Sequence, residues 1–270
     1  AKNFSKWQKE KKVINGKNVS MYDFVKSAMQ LSFYPDDELI DVLNKQWNSN
    51  GLNSCQNMEY MIPMIDTSGS MSECNNIPLY NALGLGIRIA EKSKLGKRCL
   101  TFSQKPQWIN LQDAETFYNC IKLLKNTDWS MNTNFHAAMD LILEHIKKVQ
   151  MEASEVEKLT LVVLSDMQFD SSYHKESGEP IDKEIIEKFK NVGLKICNKP
   201  YKPPKIIFWN LRNTNGFPSV SFQPGVGMIS GYSPQLMNAF IEKGEKSLQE
   251  YSPYNILKDI LDVPRYNFLH

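Results

Sequence analysis

Apolar and polar residues alternate with two different periods along the chain from residue 59 onward. Short apolar runs predict buried strands, and longer stretches in which apolar residues recur every three or four positions predict helices that bury one face. The two patterns take turns, which is typical of a doubly wound α/β fold: a mostly parallel sheet with helices on both faces. The predicted strands cover residues 61–65, 99–102, 107–109, 160–164, 205–210 and 225–232.

The first predicted helix of this region begins near Pro78, because proline suits the first helical turn. Leu79, Leu83, Ile87 and Ala90 form its buried stripe. We expect Gly84 and Gly86, within the same stretch, to allow close approach to the sheet. Strands 99–102 and 107–109 predict an antiparallel edge hairpin, and residues 211–224, rich in Asn, Gly and Pro, predict a loop. Further helices are predicted at 117–124, 135–149 and 181–192, after Ser233, and in the tail at 251–261.

Residues 1–58 are polar and rich in Lys and Asn, and they predict two helices capped by Ser20 and Asp36. We assign two units: a helical N-terminal extension (1–58), which we expect to be the end of a truncated upstream domain, and an α/β domain (59–270). About fifty residues bury too little surface to fold alone. We therefore expect Phe24, Val25 and Leu43 to pack against the α/β domain. The opening lysine cluster fits a solvated helix face better than a nucleic-acid contact.

Composition narrows the classes of function. The net charge of +2 predicts no strong non-specific affinity for nucleic acid. Five cysteines without a Cys-x-x-Cys pair argue against zinc and favour a reducing compartment. His145 lies on an amphipathic helix and is expected at the surface. No signal peptide or long apolar run is visible, so we expect an intracellular protein, cytoplasmic or nuclear, that does not contact a membrane.

The strand at 61–65 ends in a group of oxygen-bearing side chains: Asp66, Ser68 and Ser70, with Gly69 between the serines. The carboxyl ends of parallel strands open onto the ligand crevice of doubly wound sheets. Oxygen ligands suit a hard divalent cation, Mg²⁺ before Ca²⁺. A simple helix cap explains this short pattern equally well. A second strand-end acid, Asp166, favours the cation.

Together these residues resemble the metal-ion-dependent adhesion site of von Willebrand factor A (vWA) domains. The resemblance covers residues 59–244 and implies a vWA/Rossmann-like fold. It also implies a site for Mg²⁺ (or Mn²⁺ or Ca²⁺) in which Ser68, Ser70 and Thr133 bind by their hydroxyls, and Asp66 and Asp166 bind directly or through waters. The rim around the ligand would include Met71, Asp128, Asn132, Asn134 and Met167.

The runs 65–71 and 165–170 look closest to the intracellular branch that includes the Ro autoantigen (TROVE) proteins. They are also similar to a poorly characterised family of plants and large viruses. The family pattern often places small residues before the threonine, whereas Met131 and Asn132 stand here, and Met167 follows the second acid. The resemblance implies an interaction module that recognises an acidic protein ligand. An RNA-associated module, or a structural domain with a vestigial metal site, remains an alternative.

Catalysis is disfavoured by the same residues. A phosphoaspartyl phosphatase needs a second Asp two positions after the first, where Ser68 stands. A serine-hydrolase elbow needs Gly two positions before its nucleophile, and Asp66 and Ser68 occupy those positions before Ser68 and Ser70. No P-loop motif is present. We therefore predict no catalytic residues and a protein that is not an enzyme.

Overall fold

The computed structural model describes residues 14–16, 19–51, 58–102, 105–127, 135–167, 183–212, 219–223 and 226–232. Within these ranges the chain forms a seven-stranded sheet between two helical layers. The strands are β1 (Met61–Asp66), β2 (Arg98–Phe102), β3 (Trp108–Asn110), β4 (Thr160–Ser165), β5 (Lys205–Asn210), β6 (Ser219–Gln223) and β7 (Val226–Ser230). The helices are α1 (Met21–Phe33), α2 (Asp37–Gly51), α3 (Glu73–Lys92), α4 (Phe117–Lys125), α5 (Phe135–Val149), α6 (Ala153–Val156) and α7 (Lys183–Cys197).

The strand order is β3-β2-β1-β4-β5-β7-β6. Strands β2, β1, β4, β5 and β7 are parallel, while β3 and β6 pair antiparallel at the two edges. The direction of chain progression reverses between β1 and β4, which is where doubly wound sheets bind their ligands. The predicted α/β class and the edge hairpin are confirmed. Strand β1 ends in the candidate acid Asp66, and strand β4 ends directly before the second candidate acid, Asp166.

The central strands are buried on both faces, as their continuous apolar runs predict. Along β1, Met61 and Ile65 join one hydrophobic cluster and Ile62 and Met64 join the other. The first cluster lies under α3 and α4, and the second under α5, α6 and α7. The carboxyl ends of the central strands, where the candidate site residues follow, therefore lie between the two helical layers.

The two N-terminal helices pack outside α3 and α4, and Phe24, Val25 and Leu43 are buried in the first cluster, as expected. Ser20 and Asp36 cap the helices through the backbone N–H groups of Asp23 (3.1 Å) and Leu39 (3.0 Å). The division of the chain at residues 58 and 59 stays a prediction.

Trp47 joins α2 to α3 and α4. Its indole stacks on Phe117 with ring centroids 3.9 Å apart, and the guanidinium of Arg88 lies 3.7 Å from its centroid. The indole N–H donates to Glu91 (2.9 Å), which also pairs with Arg88 (2.8 Å). A buried cation is thus neutralised by a carboxylate and stacked on an aromatic face.

Glycines of α3 serve two different contacts. A Cβ at Gly86 would lie 2.6 Å from Ile65 Cδ1, so this position needs glycine for close approach to the sheet. At Gly84 the nearest atom is Met21 Cβ at 3.0 Å, so Gly84 faces α1, and its predicted contact with the sheet is wrong. Residues 74–76 have positive φ (51–61°), so the regular part of α3 begins after them, with Pro78 in its first turn.

Three further expectations need correction. The predicted loop 211–224 contains β6, which takes its hydrogen bonds from β7. Helix α7 continues past Val192 to Cys197. His145 is half-buried, with its ring 5.8 Å from that of Trp108 and its Nδ1 3.4 Å from Arg98. Residues of the predicted tail helices lie outside the described ranges.

Candidate metal-binding site

The end of β1 places three oxygen-bearing side chains on one tight turn. Asp66 is buried, with 2% of its surface exposed. Its Oδ1 accepts the backbone N–H of Ser68 (2.9 Å), which turns the chain immediately after the strand. The carbonyl of Ser68 then accepts the N–H of Met71 (3.1 Å), closing a 3₁₀ turn at Gly69–Ser72. This turn brings the hydroxyls of Ser68 and Ser70 to 3.0 Å from each other.

The end of β4 lies beside this turn. Asp166 follows the strand and is also buried, with 3% of its surface exposed. Ser165, which is fully buried, donates its hydroxyl to Asp66 Oδ2 (2.5 Å) and accepts the N–H of Met167 (2.9 Å). Met167 has φ of 61°, so the chain turns sharply after Asp166. Ser165 therefore links the two strand ends through a single hydroxyl.

Burial raises the pKa of Asp66 above its ordinary value, because desolvation disfavours the charged form. The hydroxyl of Ser165 and the backbone and side chain of Ser68 oppose this shift by donating hydrogen bonds to the carboxylate. The negative charge of Asp166 raises the pKa further. The two acids follow neighbouring paired strands, and a cation bound between them would relieve their repulsion.

The donors fit a small hard cation. Two adjacent ligands of an octahedral Mg²⁺, each at about 2.0–2.1 Å, lie roughly 2.9 Å apart. The hydroxyls of Ser68 and Ser70 are hydrogen-bonded to each other at 3.0 Å, a separation that two adjacent Mg²⁺ ligands could keep. In the ranges that the structure describes, no three His, Cys, Asp or Glu side chains group as a metal site. The candidate site is of a different kind, with two carboxylates and a pair of hydroxyls.

The structure brings Asp66, Ser68, Ser70 and Asp166 to one edge of the sheet, as the sequence predicted. Thr133, Asp128, Asn132 and Asn134 lie outside the described residues. Met167 is partly buried against the second hydrophobic cluster. The rim assignment of Met71 is wrong, because the 3₁₀ turn points this side chain inward and leaves none of it exposed.

Sequence reasoning missed Ser165 as part of the site. Its position beside Asp66 on the neighbouring strand could have indicated it, because β1 and β4 pair in register with Ile65 opposite Leu164. The residues that follow, Asp66 and Ser165, therefore lie side by side. A hydroxyl next to a buried acid on a neighbouring strand is a natural hydrogen-bond donor for it.

Known proteins resemble this chain over most of its length. Residues 61–260 match a protein family described as Domain of unknown function (DUF7788). The chain belongs to this family. The match begins at the first residue of β1 and contains every candidate ligand, whereas α1 and α2 precede it.

The uncharacterized protein L728 of Acanthamoeba polyphaga mimivirus is 26% identical over 261 residues. The alignment covers 94% of this chain and 41% of the viral protein, so the chain spans about two-fifths of the length of this curated relative. The expected similarity to a large-virus protein is confirmed. Among solved structures, the Deinococcus radiodurans RO (RSR) protein aligns with a TM-score of 0.46 and 14% identity, over 84% of this chain and 45% of that one.

None of the helices in the described ranges is both long and apolar enough to cross a membrane.

Proposed function

We propose that the chain is a divalent-cation-dependent binding module that recognises an acidic side chain of a partner protein. The observation that carries this proposal is the meeting of Asp66, Asp166 and the paired hydroxyls of Ser68 and Ser70 at the reversal point of the sheet. Mg²⁺ is the preferred cation, with Mn²⁺ as its closest substitute. Thr133 would supply a third hydroxyl, as the resemblance to vWA domains implies.

In this proposal the hydroxyls contact the cation directly, and the two acids balance its charge. The hydroxyls of Ser68 and Ser70 are neutral donors suited to direct contact. Both oxygens of Asp66 already accept hydrogen bonds, from the Ser68 N–H and the Ser165 hydroxyl. Such an acid is suited to hold a cation through water and to orient the ligands around it. Asp166 supplies the second negative charge.

Charge balance supports an anionic ligand. Two carboxylates neutralise one divalent cation, and the hydroxyls add no charge. When bound, the cation is a Lewis acid with affinity for a further anionic oxygen. A carboxylate of a partner protein and a phosphate both offer that oxygen. The net charge of +2 gives little long-range attraction for nucleic acid, so we favour the carboxylate.

We propose a role in binding and not in catalysis. The polar side chains described at the site are suited either to bind a cation (Asp66, Ser68, Ser70 and Asp166) or to orient one of its ligands (Ser165). An aspartyl phosphatase would need a second aspartate two positions after Asp66, and that position is Ser68.

Affinity capture from cell extract tests the proposal. The bait is the wild-type chain, Thr133→Ala, or Ser154→Ala as a matched control whose hydroxyl lies on the exposed side of α6. We expect a partner that is recovered by wild type and Ser154→Ala, is released by chelator, returns with Mg²⁺, and is lost with Thr133→Ala. Partners that survive both chelator and Thr133→Ala would contradict the proposal. Recovery that is lost after RNase treatment would favour an RNA-associated module instead.

A further inference from the structure

Met71 occupies the space between the turn after β1 and the end of β4. It is fully buried and belongs to the first hydrophobic cluster. Its backbone N–H donates to the Ser68 carbonyl (3.1 Å), and its thioether sulfur accepts the backbone N–H of Asp166 (3.1 Å). A single residue therefore fixes the serine turn at one end and the second acid at the other.

The Met71 sulfur accepts the N–H of Asp166 directly after the paired part of β4. The ladder of β4 with β1 ends at Leu164, and the ladder with β5 ends at Ser165. Asp166 lies beyond the last paired residue of both ladders and is 3% exposed, so water has little access to its amide. Buried backbone donors in folded proteins almost always have an acceptor. A hydrocarbon side chain of the same size would fill the space and leave this donor without the sulfur.

Met71 also differs from the acids and hydroxyls in chemistry. Thioethers are soft ligands and suit neither Mg²⁺ nor Ca²⁺. Met71 is also fully buried in the apolar cluster, so its sulfur is not exposed to a ligand from solvent. Its contribution must therefore pass through the backbone of Asp166.

We propose that Met71 is a positioning residue of the metal site: the Met71 sulfur holds the backbone of Asp166 so that its carboxylate faces Asp66 and the serine hydroxyls. This inference rests on the proposed function. It parallels Ser165, which fixes the Asp66 carboxylate from the other strand. Together the two buried side chains cross-link the strand ends in opposite directions, β4 to β1 through Ser165 and the β1 turn to β4 through Met71.

The test compares Met71→Leu with Met64→Leu. Both methionines are fully buried, and Met64 lies within β1 in the other cluster. Exchanges between Met and Leu preserve volume and are usually tolerated, so both variants should fold and lose similar thermal stability. Mn²⁺ affinity, measured by calorimetry, should fall about tenfold in Met71→Leu, in the range found when groups that orient metal ligands are removed. Met64→Leu should bind as wild type does.

The outcomes separate the two proposals. If wild type binds Mn²⁺ and Met71→Leu binds it equally well, the positioning role is overturned while the metal site stands. If wild type does not bind Mn²⁺, the metal site itself is overturned, and the role of Met71 with it. Should Met71→Leu fail to fold, amide hydrogen exchange of wild type decides. We expect the Asp166 amide to exchange slowly, and exchange as fast as that of an exposed loop amide would overturn the inference.

Discussion

Replacing Ser165 with alanine removes a hydroxyl that bonds to Asp66 at the end of β1 and to the backbone that follows β4. The hydroxyl donates to Asp66 Oδ2 (2.5 Å) and accepts the Met167 N–H (2.9 Å). Alanine fits the same space without a clash, and the site is fully buried, so water cannot easily replace the missing hydroxyl. The expected effect is therefore the loss of two hydrogen bonds with little change in packing.

The expected loss of unfolding free energy follows from the two hydrogen-bond partners of Ser165, the Asp66 carboxylate and the Met167 N–H. A hydrogen bond to a charged group contributes about 1.5–3 kcal/mol, and a buried donor left without its acceptor costs about 1–3 kcal/mol. Met167 is partly exposed, which places its amide at the low end of that range. We expect Ser165→Ala to lower the free energy of unfolding by about 3 kcal/mol. For a chain of this size the midpoint of thermal unfolding should fall by roughly 6–12 °C.

The assay is urea and thermal unfolding followed by circular dichroism, with chelator present so that no cation contributes. A double-mutant cycle with Asp66→Ala isolates the Ser165–Asp66 interaction, and we expect a coupling free energy of about 2 kcal/mol. A loss below about 1 kcal/mol in Ser165→Ala, or a coupling energy near zero, would show that this hydroxyl does not hold the acid.

Two further predictions concern the rest of the molecule. Trp47→Ala should cost about 3–5 kcal/mol of unfolding free energy in urea because it removes a fully buried indole stacked on Phe117. Leu39→Ala, in the exposed part of the same helix, should cost under about 0.5 kcal/mol; similar small losses in both variants would mean that α2 contributes little to the folded domain. Burial, Arg98 and Lys148 lower the pKa of His145 below 6.5. The unfolded state then binds the proton more readily, so stability present above about pH 6.5 is lost as pH falls through the folded-state pKa. The thermal midpoint of wild type should fall more steeply than that of His145→Gln between about pH 7.5 and 5, and parallel curves would contradict this.

Much of the fold could be predicted because its elements are specified locally. Helix α5 runs over the predicted residues, Phe135–Val149, since its apolar positions recur with helical spacing along the whole element. Strand β5 likewise has its predicted bounds, because both of its faces are buried and its apolar run is continuous. Such patterns depend on neighbouring residues alone.

The errors arose where a distant part of the chain decides the structure. Strand β6 is a short edge strand whose hydrogen bonds come from β7, so its own Asn-, Gly- and Pro-rich surroundings suggested a loop. Helix α7 is predicted to end at Val192, directly before Gly193, whereas it continues to Cys197. In the structure this glycine allows close packing instead: a Cβ there would lie 2.4 Å from the backbone of Tyr201.

In the candidate site, too, the features set by neighbouring residues could be predicted, and those set by distant residues could not. Asp66, Ser68 and Ser70 belong to one short motif, and Asp166 follows a recognisable strand, so the sequence could place all four at one edge. The partners that orient them could not be predicted in the same way. Ser165 and Asp66 are 99 residues apart in the chain, and Met71 and Asp166 are 95 apart. Their roles depend on the register of β1 with β4, which only the folded sheet defines.

Calorimetric titration with Mg²⁺ or Mn²⁺ tests the central claim most directly. Wild type should bind one cation per chain, and Asp166→Ala should not bind. Asp140→Ala is the matched control, because Asp140 is a half-exposed carboxylate on α5 paired with Lys188, and its loss should leave binding unchanged. Equal binding by wild type and Asp166→Ala, or no binding by wild type, would contradict the assignment of one cation to Asp66 and Asp166.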